Sequence, residues 1–277
     1  MALLSIIILG LLAMFTQTQR AFRTGMTQAD VLESGRIFSD MISRELAQIT
    51  PANQSNVLNF AVSLVDRQPL YLPLPGATHR RTNLLQDLFF VYRHNQEWVG
   101  VGYFVRTNDP ATGKLGWPLV GQAGTLSAGA GTLYRFETNL FALSGRGVAD
   151  LYRDFYAAAY RDAWPVAKLA DGVVHFKVRA YDTAGRWIQW PLTNAPGQAY
   201  EARTLVPGET GQYLFYSNVV PATVELEVGI LEDRAWKHFE ALPSQLSRYN
   251  YLTGQVGRVH LFRERVAVRN VDPVAYQ

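Results

Sequence analysis

The sequence predicts an α+β protein: a long projecting N-terminal helix packed on an antiparallel β-sheet head with short helices. Three observations predict it. The chain opens on an apolar run, Ala2–Phe15, broken only by Ser5 and Gly10. An amphipathic stretch without proline follows from Arg20 to Ile49 and meets Pro51. From Asn56 onward the pattern switches to two-residue alternation between turn signals.

The first half-helix is apolar on all sides, which a surface helix is not. In the second, Val31, Ile37, Phe38, Met41, Ile42, Leu46 and Ile49 recur at three-to-four spacing among Asp30, Glu33, Arg36, Asp40, Arg44 and Glu45. Residues 1–50 therefore read as one helical unit of about 75 Å at 1.5 Å per residue, too long to fold inside a compact domain. Val31, Phe38, Met41, Ile42 and Leu46 are the predicted contacts of that helix with the head, residues 51–277.

In the head, Gln86–Arg93 and Trp98–Arg106 read as a hairpin over a four-residue turn. Thr132–Thr138 is a further strand. Val174, Phe176, Val178 and Ala180 alternate with His175, Lys177 and Arg179, as Val224, Leu226, Val228 and Ile230 alternate with Thr223, Glu225 and Glu227. The apolar sets are expected to share a core, with the charged sets in water, so that Glu225→Ala costs within about 0.5 kcal/mol. Short helices are expected at Val148–Ala163 and Glu232–Ala241, and long loops at Asn108–Gly131 and Pro191–Gly211.

Composition narrows the function. With 277 residues, 48% hydrophobic and 18% charged, the chain can bury a sizeable core. A net charge of +3 without runs of like charge argues little for nucleic acid, and the lack of cysteine removes disulfides, thiolate metal sites and a thiol nucleophile. His79, His94, His175, His238 and His260 are too scattered for a local ligand motif. Asp182-Thr183-Ala184-Gly185 reads as a turn between strands rather than part of a calcium loop. Glu225 and Glu227 lie on one strand face, not across a cleft, and neither Gly100-Val101-Gly102 nor Gly129-Ala130-Gly131 has phosphate-loop spacing. Tyr152, Tyr156 and Tyr160 form an i, i+4 ladder that reads as packing on the sheet. Arg258, Arg263, Arg265 and Arg269 could touch DNA, but solvated edge-strand arginines are the favoured reading. The expectation is no enzyme, no metal and no cofactor.

The opening Met1–Gly10 resembles the stretch after the conserved glutamate of type IV pilins and type II secretion pseudopilins. Arg20–Ile49, with Gly35-Arg36 before IFSDMISREL, resembles the helix of the large minor pseudopilins. Leu169–Trp187, Leu226–Arg234 and Val259–Asp272 resemble segments of J-type pseudopilins and W-type minor pilins. The family's basic leader and Phe-Thr-Leu-x-Glu motif do not stand in this sequence, and the expectation is that both are encoded in frame upstream of Met1.

The resemblance implies a minor pilin or pseudopilin, assembling into a type II secretion pseudopilus or type IV pilus in a tip or priming complex. It implies a single pass through a bacterial inner membrane, a periplasmic head, and other minor and major pilins as partners. The assembly and membrane residues would be Leu3, Leu4, Ile6, Ile7, Ile8, Leu9, Gly10, Leu11, Leu12, Ala13 and Phe15, with Gly10 and Ala13 as a small-residue notch. The runner-up is a membrane-anchored extracytoplasmic module that binds DNA, sugar or a surface.

Overall fold

The computed structural model describes residues 2–64, 70–73, 80–108, 115–116, 129–140, 145–161, 165–189, 200–206 and 209–276. Within the first helix, side chains are described at 7–19, 22, 25 and 31–46.

Helix α1 spans Ala2–Leu46. The strands are β1 Gln54–Leu64, β2 Leu70–Pro73, β3 Arg80–Asn83, β4 Gln86–His94, β5 Glu97–Asn108, β6 Leu115–Gly116, β7 Gly131–Leu140, β8 Ala167–Tyr181, β9 Tyr200–Val206, β10 Glu209–Ser217, β11 Thr223–Leu231 and β12 Val259–Ala267. Three shorter helices are α2 Ala149–Arg161, α3 Asp233–Ala241 and α4 Gln245–Thr253. Nine strands form one curled antiparallel sheet, a half-barrel, in the order β12-β11-β8-β7-β5-β4-β1-β10-β9. Strand β6 adds to β5, and β2 pairs with β3 in a separate ribbon.

This corrects the expected fold class. The protein is mostly antiparallel sheet with helices laid on it, not a head hung on a long projecting helix. From Val31 onward the apolar stripe of α1 is buried with the sheet, so that half is a layer of the core. Between Ile7 and Gln19 the side chains stand exposed; these thirteen residues cover only about 20 Å. The helix also ends three residues early: Gln48 and Ile49 close a tight turn, and Ile49 bridges to Tyr92 of β4.

The inner face of the curl holds the main core. Phe60, Phe90, Tyr103, Phe176, Leu226 and Phe215 come from strands across the whole sheet. Side chains help draw the curl together. The Gln86 amide oxygen accepts from the Val178 N–H at 2.7 Å, and Trp187 Nε1 donates to the Tyr213 hydroxyl at 2.8 Å. The outer face carries α2, seated on β5 because Gly100 and Gly102 have no side chain. A Cβ at Gly102 would lie 2.1 Å from the Phe155 ring, and one at Gly100 would lie 3.0 Å from Leu151. A third cluster, with Trp236, Phe239 and Leu252, sits under α3 and α4.

Other expectations shift in detail. The hairpin loop is two residues, Asn95 and Gln96, with Asn95 at φ 55°. The expected loop at Pro191–Gly211 contains β9 and the start of β10; much of the expected loop at Asn108–Gly131 lies outside the described residues. His79 also lies outside them.

Candidate functional site: an apolar helix and a charged strand face

Leu3, Leu4 and Ile6 lie in the helical backbone, but their side chains are outside the described residues. Ile7, Ile8, Leu9, Leu11, Leu12 and Phe15 are all exposed, from 55% at Ile7 to 65% at Leu9. Ala13 is exposed as well, and nothing lies within 4 Å of a Cβ added at Gly10. Farther along, Phe22, Leu32 and Ile37 are exposed too. Contiguous exposed apolar surface of this kind exceeds what scattered surface hydrophobics leave on a folded domain.

The docked half is the opposite case. Val31, Phe38, Ile42 and Leu46 are buried in the core, and Met41 packs against it. Gly35 lets the helix touch β12: a Cβ there would lie 2.1 Å from the Phe262 ring. Phe38 meets the same ring edge-on at 6.2 Å, and the Ser39 hydroxyl donates to Glu264 at 3.3 Å. Near the helix end, Glu45 accepts from Arg135 at 2.7 Å and from the Tyr103 hydroxyl. Burial and the Glu45 carboxylate push the Tyr103 phenol well above its ordinary range. Arg135 also contacts Glu137. This polar clamp fixes the axial position of α1 on the sheet.

The charged side chains of β8, β11 and β12 form columns of alternating sign. Lys177 and Arg179 stand opposite Glu227 and Glu225, which stand opposite Arg263 and Arg265. Glu225 accepts from Arg263 at 2.8 Å, from Arg179 at 3.1 Å and from the Tyr181 hydroxyl at 3.1 Å. These bonds outweigh its desolvation and hold its carboxyl below the usual range. The bond with His175, at 3.4 Å, together with nearby cations holds Glu227 down at about 2. His175 Nδ1 accepts the Leu84 N–H at 3.1 Å, so the neutral ring carries its proton on Nε2.

The expected solvated face is therefore corrected. The pairing is as the alternation requires, but Lys177 and Glu225 are each only 4% exposed. Val174 also leaves its expected partners. A register shift opposite Gly229 and Ile230 places Val173 in the main core and Val174 in the cluster with Trp236.

A second buried charge pair was not singled out by the sequence. Arg106 and Asp87 meet in a fork at 3.0 and 2.7 Å, both almost fully buried. The Ala159 carbonyl accepts from Arg106 at 3.0 Å, and the Tyr160 hydroxyl donates to Asp87 at 2.7 Å. Arg106 lies 5.0 Å from the ring centres of both Phe104 and Tyr160. Desolvation works against its charge, but Asp87 outweighs it and raises the guanidinium further. This cluster anchors α2 to the sheet. In the tyrosine ladder, Tyr152 packs against Phe89, whereas Tyr156 stacks on Tyr160 and stays largely exposed.

Among the described residues, no group of three or more His, Asp or Glu is placed to hold a metal ion. Arg258, Arg263, Arg265 and Arg269 are exposed, with Arg263 bonded to Glu225. Nor is any described helix long and apolar enough to cross a membrane, which overturns the expected single-pass placement in an inner membrane. Comparison with protein-family models, with curated proteins and with solved structures finds no match. The pseudopilin and secretion-system assignment thus has no family support.

Proposed function

We propose that the chain is a non-catalytic assembly subunit, joined to like subunits through residues 7–15 of α1 in the manner of a minor pilin. The observation that carries this reading is the contrast between an apolar half-helix with no partner among the described residues and an amphipathic half-helix docked on one side. Each large apolar side chain withdrawn from water contributes about 1.5–3 kcal/mol, so Ile7 to Phe15 hold a large unspent driving force. A helix apolar around its circumference is satisfied by a bundle rather than by a single flat partner. Gly10 and Ala13 leave a notch where a neighbouring backbone can approach closely. The Glu45–Arg135–Tyr103 clamp holds the head at a set distance from that contact.

The natural lack of cysteine makes the test direct. Single cysteines at Ile8, Leu9, Leu11 and Leu12 should give disulfide-linked subunits on oxidation in producing cells, strongest at positions three or four apart. Asp233→Cys, exposed on α3, is the control. Adducts at the control and none on the helix would contradict the reading.

A further inference from the structure

Strand β12 is an end strand of the sheet: β11 is its one ladder partner among the described residues. The direction of its free edge follows from two backbone bonds. The Val268 N–H donates to the Ala222 carbonyl, and the Glu232 N–H donates to the Arg258 carbonyl, each at 3.0 Å. Both pairs continue the register that sets Ala267 opposite Thr223 and Val259 opposite Leu231. In an antiparallel ladder, hydrogen-bonded and non-bonded pairs alternate. The even-numbered residues of β12 therefore turn their N–H and C=O toward β11. Leu261, Arg263, Arg265 and Ala267 turn theirs outward, a template for another strand, whereas the Val259 N–H already donates to the Val256 carbonyl.

Two further features mark what that strand would meet. A cavity of about 570 Å³ lies beside α1 and β12, lined by Asp40, Ser43 and Arg44 of the helix, by Ala47 and Gln48 of the turn after it, and by Glu264 and Arg269. The Ser43 hydroxyl, on a residue 8% exposed, has no hydrogen-bond partner among the described residues. On the opposite face the charge columns run cationic on β8, anionic on β11 and cationic on β12. Arg263 and Arg265 are exposed at the end of that series, so the next column in the alternation is anionic.

We propose that the open edge of β12 receives an extended strand of a partner protein that places two carboxylates, two residues apart, beside Arg263 and Arg265. Its backbone would pair with the outward groups of Leu261, Arg263 and Arg265, as in other cases of strand addition. Its alternate side chains would enter the cavity beside α1, where a short polar group can bond Ser43. This surface is separate from residues 7–15 and does not rest on the helix reading.

The probe is a soluble nine-residue peptide of alternating Thr and Val around Glu-x-Glu, compared with its Lys-x-Lys counterpart, each titrated into the full chain by fluorescence anisotropy. The Glu peptide should bind saturably and at least tenfold more tightly than the Lys peptide. It should slow amide exchange at Leu261, Arg263 and Arg265 but leave Phe262 and Glu264 unchanged. Leu261→Pro removes an outward N–H that the partner strand would use, without touching the β11 ladder, and should abolish binding with the melting temperature preserved. Ser43→Leu, which fills the cavity, should weaken binding if the proline variant fails to fold. Absence of binding, equal binding of the two peptides, or binding without the alternating protection would overturn the proposal.

Discussion

The two halves of α1 share one backbone helix and have opposite surroundings. Residues 7–15 expose side chains around the whole circumference, whereas Val31, Phe38, Ile42 and Leu46 are buried along one stripe. Where hydrophobicity is periodic, the partner lies within the chain, on β12, β11 and β8. Where it is not, the chain offers no partner among the described residues. Periodicity thus separates the docked half of this element from its exposed half. The contrast can be broken from either side.

The largest effect is expected from Ile42→Asp, which puts an unpaired carboxylate into a fully buried site. It should cost more than about 4 kcal/mol in a denaturant melt, and Phe38→Ala about 3–5 kcal/mol. Asp87→Ala leaves Arg106 buried without its partner and should cost a comparable 3–5 kcal/mol or so, although it lies far from α1. If Asp87→Ala is silent, the anchor of α2 is elsewhere.

Gly35→Val drives the helix against the Phe262 ring and should cost about 1–3 kcal/mol, with Phe262→Ala partly rescuing it. Rescue would show that this contact sets the seat of the helix; additive losses would show that it does not.

Glu227 gives a pH signature. Its carboxyl is held at about 2, below its unfolded value near 4.3, so its contribution is fully present above that value and is lost as pH falls toward 2. Stability of the native chain should decline through that window, and Glu227→Gln should flatten the decline. An unchanged slope would place the acid sensitivity in other carboxylates.

Much of the strand pattern was legible because half-buried strands alternate. That Phe176, Val178, Leu226 and Val228 share one core follows from that alternation; which of them stand opposite one another does not. What failed was the inference from charge to water. Glu225 collects three donors and is buried, so Glu225→Ala should cost about 1–3 kcal/mol rather than the half kcal/mol expected of a solvated residue. Val174 failed because a bulge shifts register by one residue, and no composition signal marks it. Strand β9 was hidden in a stretch rich in Gly and Pro. The Asp87–Arg106 pair had no local signal either, since its members are nineteen residues apart on different strands. The helix-docking stripe was plain in its spacing. Gly100 and Gly102, two residues apart on one face, were the available sign that a helix crosses β5.

The most direct measurement pairs Ile8→Asp with Ile42→Asp in the full chain, following assembly size by sedimentation and stability by denaturant melt. Ile8→Asp should abolish association and shift the melt by no more than about 0.5 kcal/mol. Ile42→Asp should collapse the melt. Normal association of Ile8→Asp, or equal destabilisation by the two substitutions, would contradict this reading.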